Sequence, residues 1–187
     1  MIYLNVFRLD YSIELPTYGT SMSSCFDLSF HPTKDIVKGY DAYNTKVGRQ
    51  VNALKEVVLH PGDRLLIPTG LIFKIDQKRT IETYADIARA ELPLQNYSIR
   101  LHPRSGLSLK QGLVLANSEG IIDVDYQEEV FVLLTNISKV NATIQAGNRI
   151  AQGEIVCNEP FEIGVLNSKP EQHSERNGGF GSTGVAS

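Results

Sequence analysis

The sequence predicts an all-β sandwich or barrel, because its apolar residues fall into many short runs divided by turn residues. Three of these runs, at 57–59, 65–67 and 71–75, are separated by the turn residues Pro61, Gly62 and Gly70. Short β-rich segments punctuated by Gly, Pro, Asn and Asp are typical of sandwiches and barrels. The expected strands lie at residues 2–9, 57–59, 65–67, 71–75, 97–101, 113–115, 130–134 and 150–156.

Residues 130–134, Val-Phe-Val-Leu-Leu, are apolar at every position. A strand that is exposed on one side alternates apolar and polar residues, whereas a strand covered on both sides does not. The pattern therefore predicts that this strand is buried on both faces.

One segment has the period of a helix. Its apolar side chains recur at helical spacing, at Ile81, Tyr84, Ala85, Ala88 and Leu92. Thr80 is suited to cap the first turn, and Pro93 prevents the helix from continuing. We expect one short helix over residues 80–92, within an insertion at about 77–95.

Two further segments interrupt the strand pattern. Residues 31–56 are polar and rich in Gly, Asn and Asp, which predicts a long surface excursion or insertion. From residue 167 the chain has few apolar residues, and four glycines fall within residues 178–184. The expected organisation is a single β domain over residues 1–166, followed by a flexible Gly-rich C-terminal arm over residues 167–187.

Composition excludes several classes of protein. The chain has 187 residues, 18 basic and 21 acidic, and a net charge of −3, which argues against a broad basic face for nucleic acid. No run approaches the about 20 apolar residues of a membrane span, and the first eight residues do not resemble a signal peptide. Neither Cys25 nor Cys157 has a histidine nearby in sequence at a spacing typical of zinc sites. We therefore expect a cytoplasmic protein with no membrane or nucleic-acid partner.

A window without acidic residues, 97–118, indicates a local positive patch in this acidic protein. It contains four basic residues, Arg100, His102, Arg104 and Lys110. Within it, Arg104, Ser105 and Gly106 combine a guanidinium, a hydroxyl and a glycine that lets backbone N–H groups approach a ligand. These groups are suited to hold phosphate oxygens, although an ordinary turn with a solvated arginine has the same composition.

A carboxylate follows a glycine and two apolar residues in Gly120-Ile121-Ile122-Asp123, and Asp125 comes two positions later. Asp123 could be a general base, a metal ligand or a simple turn residue. Further along, Arg149 and Gln152 stand three residues apart. The tail contains Arg176, then Phe180, Gly181 and Ser182 among glycines, a composition suited to a lid that closes on an anion and a ring.

In this order, five segments resemble the five motifs of the trimeric deoxyuridine triphosphatases, the dUTPases. The motifs are residues 24–28, 103–107, 120–126 with Asn117 just ahead, 147–152 and the tail from Arg176. Each motif alone is weak, but five in one order are specific. The resemblance implies a distorted jelly-roll barrel (β-clip, dUTPase-like). It also implies a homotrimer whose subunits share active sites, and the Mg²⁺-dependent hydrolysis of dUTP to dUMP and pyrophosphate.

The resemblance also implies roles for particular residues. Asp123 would activate the water that attacks the α-phosphorus, and Asp27 would bind Mg²⁺ through water. The expected substrate-binding residues are Arg104, Ser105, Gly106, Asn117, Gly120, Ile121, Ile122, Tyr126, Phe131, Arg149, Gln152, Arg176, Phe180, Gly181 and Ser182. Among these, Arg149 is equally suited to a structural ion pair.

Three positions depart from the family pattern. Cys25 stands where the family has a glycine, and Glu128 replaces a second glycine two residues after Tyr126. Arg176 lies four residues before Phe180, where the family usually has five.

Two alternative functions remain open. A dCTP deaminase has the same fold, but its proton-shuttling glutamate would be at position 133, which is Leu. A non-catalytic or additional regulatory role, in which the insertions bind a protein partner, would use the fold without the chemistry.

Overall fold

A computed structural model describes residues 2–77, 96–171 and 173 of the chain. The expected helix at 80–92 lies outside the described residues. In the described part there are fourteen strands and one helix. The strands are β1 (Ile2–Arg8), β2 (Thr17–Tyr18), β3 (Phe26–Ser29), β4 (Ile36–Tyr40), β5 (Lys46–Gln50), β6 (Glu56–Leu59), β7 (Arg64–Pro68), β8 (Leu71–Gln77), β9 (Asn96–His102), β10 (Leu113–Leu115), β11 (Gly120–Asp123), β12 (Phe131–Asn136), β13 (Ala142–Gln145) and β14 (Arg149–Asn158); the helix is α1 (Ser105–Gln111).

The described strands form two five-stranded antiparallel sheets and two small two-stranded sheets. One large sheet has the order β10-β12-β7-β4-β5, and the other has the order β11-β9-β14-β3-β2. The small sheets pair β1 with β8 and β6 with β13. All eight strands expected from the apolar runs are present, so the all-β prediction is confirmed.

The core lies between the sheets, because alternate side chains of each strand point inward. In β12, Val132 and Leu134 are fully buried, whereas Phe131 and Leu133 are only half-buried. The prediction that this strand is covered on both faces is therefore wrong for a single chain. The largest fully buried side chains are Phe30, Leu28, Leu59, Leu65, Ile67, Ile99, Leu101, Leu113, Leu134, Ile144 and Ile150.

Residues 31–56, for which the composition predicts a long surface excursion or insertion, contain regular structure. Their strands β4 and β5 form a hairpin, and β4 pairs with β7, so the hairpin extends the first large sheet. The turn is closed by the Asp41 carboxylate, which accepts hydrogen bonds from the N–H groups of Tyr43 and Thr45, both at 2.9 Å. Val37 is buried in the core.

A buried ion pair fastens this hairpin to β7. The Arg49 guanidinium donates two hydrogen bonds of 2.8 Å to the Asp63 carboxylate. Burial by itself would raise the pKa of Asp63, but hydrogen bonds from Arg49 and from the His60 N–H outweigh it and lower that pKa. The pair stays charged, and its bidentate geometry fixes the orientation of β5.

Helix α1 was not predicted from the sequence, in which these residues resemble a turn. Its only large apolar residues, Leu107 and Leu109, are two positions apart, so they form no apolar stripe that would signal a helix, and none of the helix residues is fully buried. The chain after Asn158 contains no helix or strand in the residues described, and its apolar side chains are exposed. No described helix has the length and apolar character to cross a membrane.

Candidate functional site

Two arginines converge on one carboxylate of β3 in the second large sheet, where β14 begins. Asp27 Oδ1 is 2.9 Å from Arg104 Nε, and Asp27 Oδ2 is 2.9 Å from Arg149 Nη1. Arg104 also donates through Nη1 to the carbonyl oxygen of Arg149, at 3.2 Å. These three residues form the arginine–aspartate cluster. With two cations on one anion, it holds an excess of positive charge, as a site for an anionic ligand requires.

The register of the sheet explains why these distant residues meet. Asp27 of β3 lies opposite Gln152 of β14, and a bulge between Arg149 and Ala151 shifts the start of β14. Gln152 Nε2 donates to the carbonyl oxygen of Pro103 at 3.2 Å, which fastens the segment leading into α1. The structure thus brings together the first, second and fourth motifs expected from the sequence.

An open cleft runs beside the cluster and is bordered by small polar residues. Its lining residues are Gly19, Ser23, Ser24, Cys25, Asp27, Arg104, Arg149 and Gln152. Burial raises the pKa of the Cys25 thiol, and the nearby Glu154 and Asp27 add to that effect. Among the described residues, a positive φ outside glycine occurs only at Asn44, Lys55 and Ser118, so Cys25 does not adopt the strained backbone conformation that favours glycine.

The positive patch expected over residues 97–118 is only partly correct. Arg100 lies 3.4 Å from the Glu119 carboxylate. His102 Nε2 lies 3.0 Å from the Glu154 carboxylate. The Glu119 carboxylate, from the β10–β11 connection, and the Glu154 carboxylate, from β14, therefore lie beside two of the basic side chains, and Arg104 is the one that reaches the cluster.

Asp123 is the last residue of β11 and is exposed. The strand ends there because Tyr126 N–H donates to the Asp123 carbonyl oxygen at 3.1 Å, closing a turn. Tyr126 is 38% exposed at the other end of this turn. Ile121 is 54% exposed, while Gly120 is buried so closely against Leu101 that a Cβ would come within 3.0 Å of it.

Asp123 and the arginine–aspartate cluster are far apart in one chain. Asp123 lies opposite Ser98, which lies opposite Val156 of β14, four residues from the position opposite Asp27. With a rise of about 3.3 Å per residue and strands about 4.8 Å apart, the Cα atoms of Asp123 and Asp27 are about 20 Å from each other. The two carboxylates cannot both contact the phosphates of one nucleotide within a single chain.

The remaining site residues from the sequence fall in different places. Asn117 is exposed in the β10–β11 connection, and Phe131 begins β12 in the other large sheet. Ser105 and Gly106 open α1, where nothing lies within 4 Å of a Cβ built on Gly106. The expected tail residues Arg176, Phe180, Gly181 and Ser182 lie outside the described residues.

Glu129 joins two distant segments of the chain, and the sequence analysis did not identify it. Its carboxylate accepts a hydrogen bond from Gly70 N–H at 2.9 Å and is 3.2 and 3.3 Å from Thr33 Oγ1. These partners are 59 and 96 residues away along the chain, so no local sequence signal could reveal them.

His31 lines two clefts, one of which also contains Asp27 and Arg149 of the cluster. Its Nε2 is buried and has no hydrogen-bond partner in the described part of the chain. Burial lowers the pKa of His31, and Lys55 acts in the same direction while Glu14 opposes it.

We expect His31 to make folding stability depend on pH. Because its pKa is lower in the folded chain than in the unfolded chain, stability is full above the ordinary value of 6.5 and is lost as pH falls. Thermal unfolding from pH 7.5 to 5.0 should therefore show a smaller loss of Tm in His31→Gln than in the wild type. Equal losses in the two proteins would contradict a neutral buried imidazole.

The chain is similar to known proteins over almost its whole length. The family model described as dUTPase matches residues 65–184. The deoxyuridine 5'-triphosphate nucleotidohydrolase of Brucella melitensis biotype 2 is 32% identical over 191 residues, covering 98% of this chain and 94% of that protein.

Two solved structures have a similar fold at low identity. A mutant dUTPase of Staphylococcus bacteriophage 80alpha with dUpNHpp aligns with a TM-score of 0.68 at 19% identity, covering 98% of this chain and 99% of that one. A mutant dUTPase of phage phi11 of S. aureus, whose structure reveals the coordination of a structural Mg(II) ion, aligns with a TM-score of 0.60 at 18% identity, covering 89% and 97%.

Proposed function

This chain belongs to the dUTPase family, and from that premise we propose that it hydrolyses dUTP to dUMP and pyrophosphate. The observation that carries the proposal is the arginine–aspartate cluster. It offers two guanidinium groups to an anion, in a chain whose net charge is −3. A triphosphate is a ligand with enough negative charge to use both.

Arg104 and the start of α1 would hold the phosphates. The Arg104 Nε–Asp27 ion pair fixes one edge of the guanidinium, so that the remaining N–H groups can face a ligand. Ser105 and Gly106 add a hydroxyl and backbone N–H groups, and the open space beside Gly106 leaves room for phosphate oxygens. Gln152 lies beside them, and Arg149, 54% exposed in its side chain, is free to turn from Asp27 towards the substrate.

Asp123 is the proposed general base. Its carboxylate would accept a proton from water while the water oxygen attacks the α-phosphorus of dUTP. The bond from the α-phosphorus to the bridging oxygen then breaks, and pyrophosphate leaves with the bonding electron pair. A solvent-exposed carboxylate at a strand end is accessible to such a water molecule.

The turn region around Asp123 would recognise the nucleoside. Asn117 and the backbone at Gly120, Ile121, Ile122 and Phe131 would bind the uracil edge. Tyr126 would pack against the deoxyribose and leave no space for a 2′-hydroxyl. The tail residues Arg176, Phe180, Gly181 and Ser182 are proposed to close over the nucleotide, with Phe180 stacking on uracil.

Magnesium is the proposed cofactor, bound mainly by the triphosphate. Within residues 2–77, 96–171 and 173, no three His, Cys, Asp or Glu side chains converge to hold a metal ion. Mg²⁺ keeps most of its water and binds phosphates through one or two carboxylates, which fits the single Asp27 carboxylate at the cluster. When bound, the ion would neutralise phosphate charge.

We propose that the active site is shared between subunits of a homotrimer. The separation of about 20 Å between Asp123 and Asp27 in one chain supports this, because a second subunit must bring Asp123 to the phosphates. The half-buried Phe131 and Leu133, together with Leu66 at 46% exposure, form an apolar outer sheet face that a neighbouring subunit would cover.

The alternatives lack comparable support. Leu133 lies on the outer face of β12, away from the protein core. Because a leucine side chain has no group that can transfer a proton, this residue disfavours a dCTP deaminase. A purely regulatory module would leave the arginine–aspartate cluster and its open cleft without a ligand.

The proposed function is tested by pyrophosphate release from dUTP, UTP, dCTP and dTTP, with and without Mg²⁺. We expect hydrolysis of dUTP to exceed that of the other nucleotides by about three orders of magnitude or more, because an excluded group leaves buried polar atoms unpaired. Removal of Mg²⁺ with EDTA should lower the rate. Comparable rates on dCTP or dTTP would contradict the proposed uracil site.

A further inference from the structure

The turn that carries Asp123 and Tyr126 has almost no packing of its own. All six residues from 123 to 128 are exposed. The single bond that closes the turn joins Tyr126 N–H to the Asp123 carbonyl oxygen. Its position must therefore depend on the anchors at its two ends, which are the β11–β9 pairing on one side and the segment after Tyr126 on the other.

After Tyr126, the turn is held in place by Glu129. The Tyr126 hydroxyl donates to the Glu129 carbonyl oxygen at 3.0 Å. Tyr126 is 38% exposed, but the partial desolvation of its hydroxyl raises its pKa, and the nearby Glu128 and Glu129 carboxylates add to this, so the hydroxyl keeps its proton and remains a donor. The Glu129 side chain in turn accepts from Gly70 N–H and Thr33 Oγ1, which belong to two other loops.

The loop that receives Glu129 is closely packed against the core. Gly70 has a φ of 69°, and a Cβ there would come within 2.2 Å of the Ile13 side chain, so only glycine fits. Next to it, Thr69 is fully buried and its hydroxyl donates to the Val130 carbonyl oxygen at 2.6 Å. Glu129 therefore joins an exposed turn to a buried, well-packed part of the core.

We infer that Glu129 is a positioning residue: its carboxylate holds the Asp123–Tyr126 turn in place and thereby sets the discrimination between deoxyribose and ribose. This inference rests on the proposed function, because Tyr126 is the residue proposed to exclude the 2′-hydroxyl. Loss of the carboxylate leaves Gly70 N–H and Thr33 Oγ1 unpaired and lets the turn shift. A shift of about 1 Å at a reacting group lowers the rate by about a hundredfold.

The test compares Glu129→Ala with its neighbour Glu128→Ala. Glu128 is exposed and makes no hydrogen bond to the described residues, which makes it a matched control. In Glu129→Ala we expect kcat/KM for dUTP to fall about tenfold to a hundredfold and the dUTP/UTP ratio to fall at least about tenfold. Glu128→Ala should stay within about twofold of the wild type.

Two conservative variants extend the test. Glu129→Gln keeps an oxygen that can accept from Gly70 N–H, so it should recover most of the dUTP/UTP ratio. Thr33→Val removes one donor to the carboxylate without changing shape, so it should lower the ratio by a smaller factor even if Glu129→Ala fails to fold.

The outcomes separate this inference from the function beneath it. If the wild type does not prefer dUTP over UTP, both the proposed function and the role of Glu129 fall. If the wild type prefers dUTP and the ratio is unchanged in folded Glu129→Ala and in Thr33→Val, only the role of Glu129 is overturned.

Discussion

Asp123→Asn should lower kcat for dUTP by roughly 10²–10⁴, the usual contribution of a positioned general base. The substitution keeps the size of the side chain and removes its basic oxygen. KM should stay close to that of the wild type, because the phosphates are held by the arginine–aspartate cluster and not by Asp123. Steady-state pyrophosphate release measures both constants.

Asp125→Asn is the control for this prediction. The strand ends at Asp123 and the chain turns there, so the two side chains do not share a sheet face as alternate residues of a strand would. We expect Asp125→Asn to retain at least about tenfold more activity, a difference of roughly 1.4 kcal/mol in the barrier. Both residues are exposed, so neither variant should lose much stability. Equal and mild effects would leave Asp123 as a turn residue.

Two inactive variants should restore activity when their subunits are mixed. Asp123→Asn keeps an intact arginine–aspartate cluster, and Arg104→Gln keeps an intact base. If each site takes the cluster from one subunit and the base from the next, every mixed trimer contains one intact site. Unfolding and refolding the variants together in equal amounts should give about a quarter of wild-type activity, whereas each variant alone stays near zero.

The control for this experiment mixes the Asp123→Asn variant with a double variant that carries both Asp123→Asn and Arg104→Gln. No subunit then offers an intact base, so activity should not return. Sedimentation should show a species of about three times the 20.7 kDa chain mass in every sample. A mixture of the two single variants that forms trimers yet stays inactive would place the complete site within one chain.

Much of the fold follows from the sequence because strands leave a local trace. Apolar runs divided by Gly, Pro and Asn identify eight strands, and the structure has a strand at each of these places. The motif at 103–107 is recognisable for the same reason, since its residue types are contiguous. Helix α1 leaves no trace, because it is short and buries no residue completely.

The features that were predicted wrongly from the sequence are those that depend on contacts between distant parts of the chain. The polar composition of residues 31–56 reflects a hairpin with one exposed face, and its pairing with β7 depends on residues that are far away in sequence. Likewise, the sequence predicts that Arg100 and His102 belong to a positive patch, because their carboxylate partners, Glu119 and Glu154, lie on other strands or loops.

By itself, the sequence determined the residue types that the chemistry needs: a carboxylate at Asp123, a guanidinium and hydroxyl at Arg104 and Ser105, and a ring at Tyr126. Only the tertiary structure decided how they are arranged. It pairs Asp27 with two arginines, ties Glu129 to Gly70, and sets Asp123 about 20 Å from the cluster. The physical reason is that residue type and periodicity are local, whereas strand register and charge pairing join residues that lie far apart along the chain.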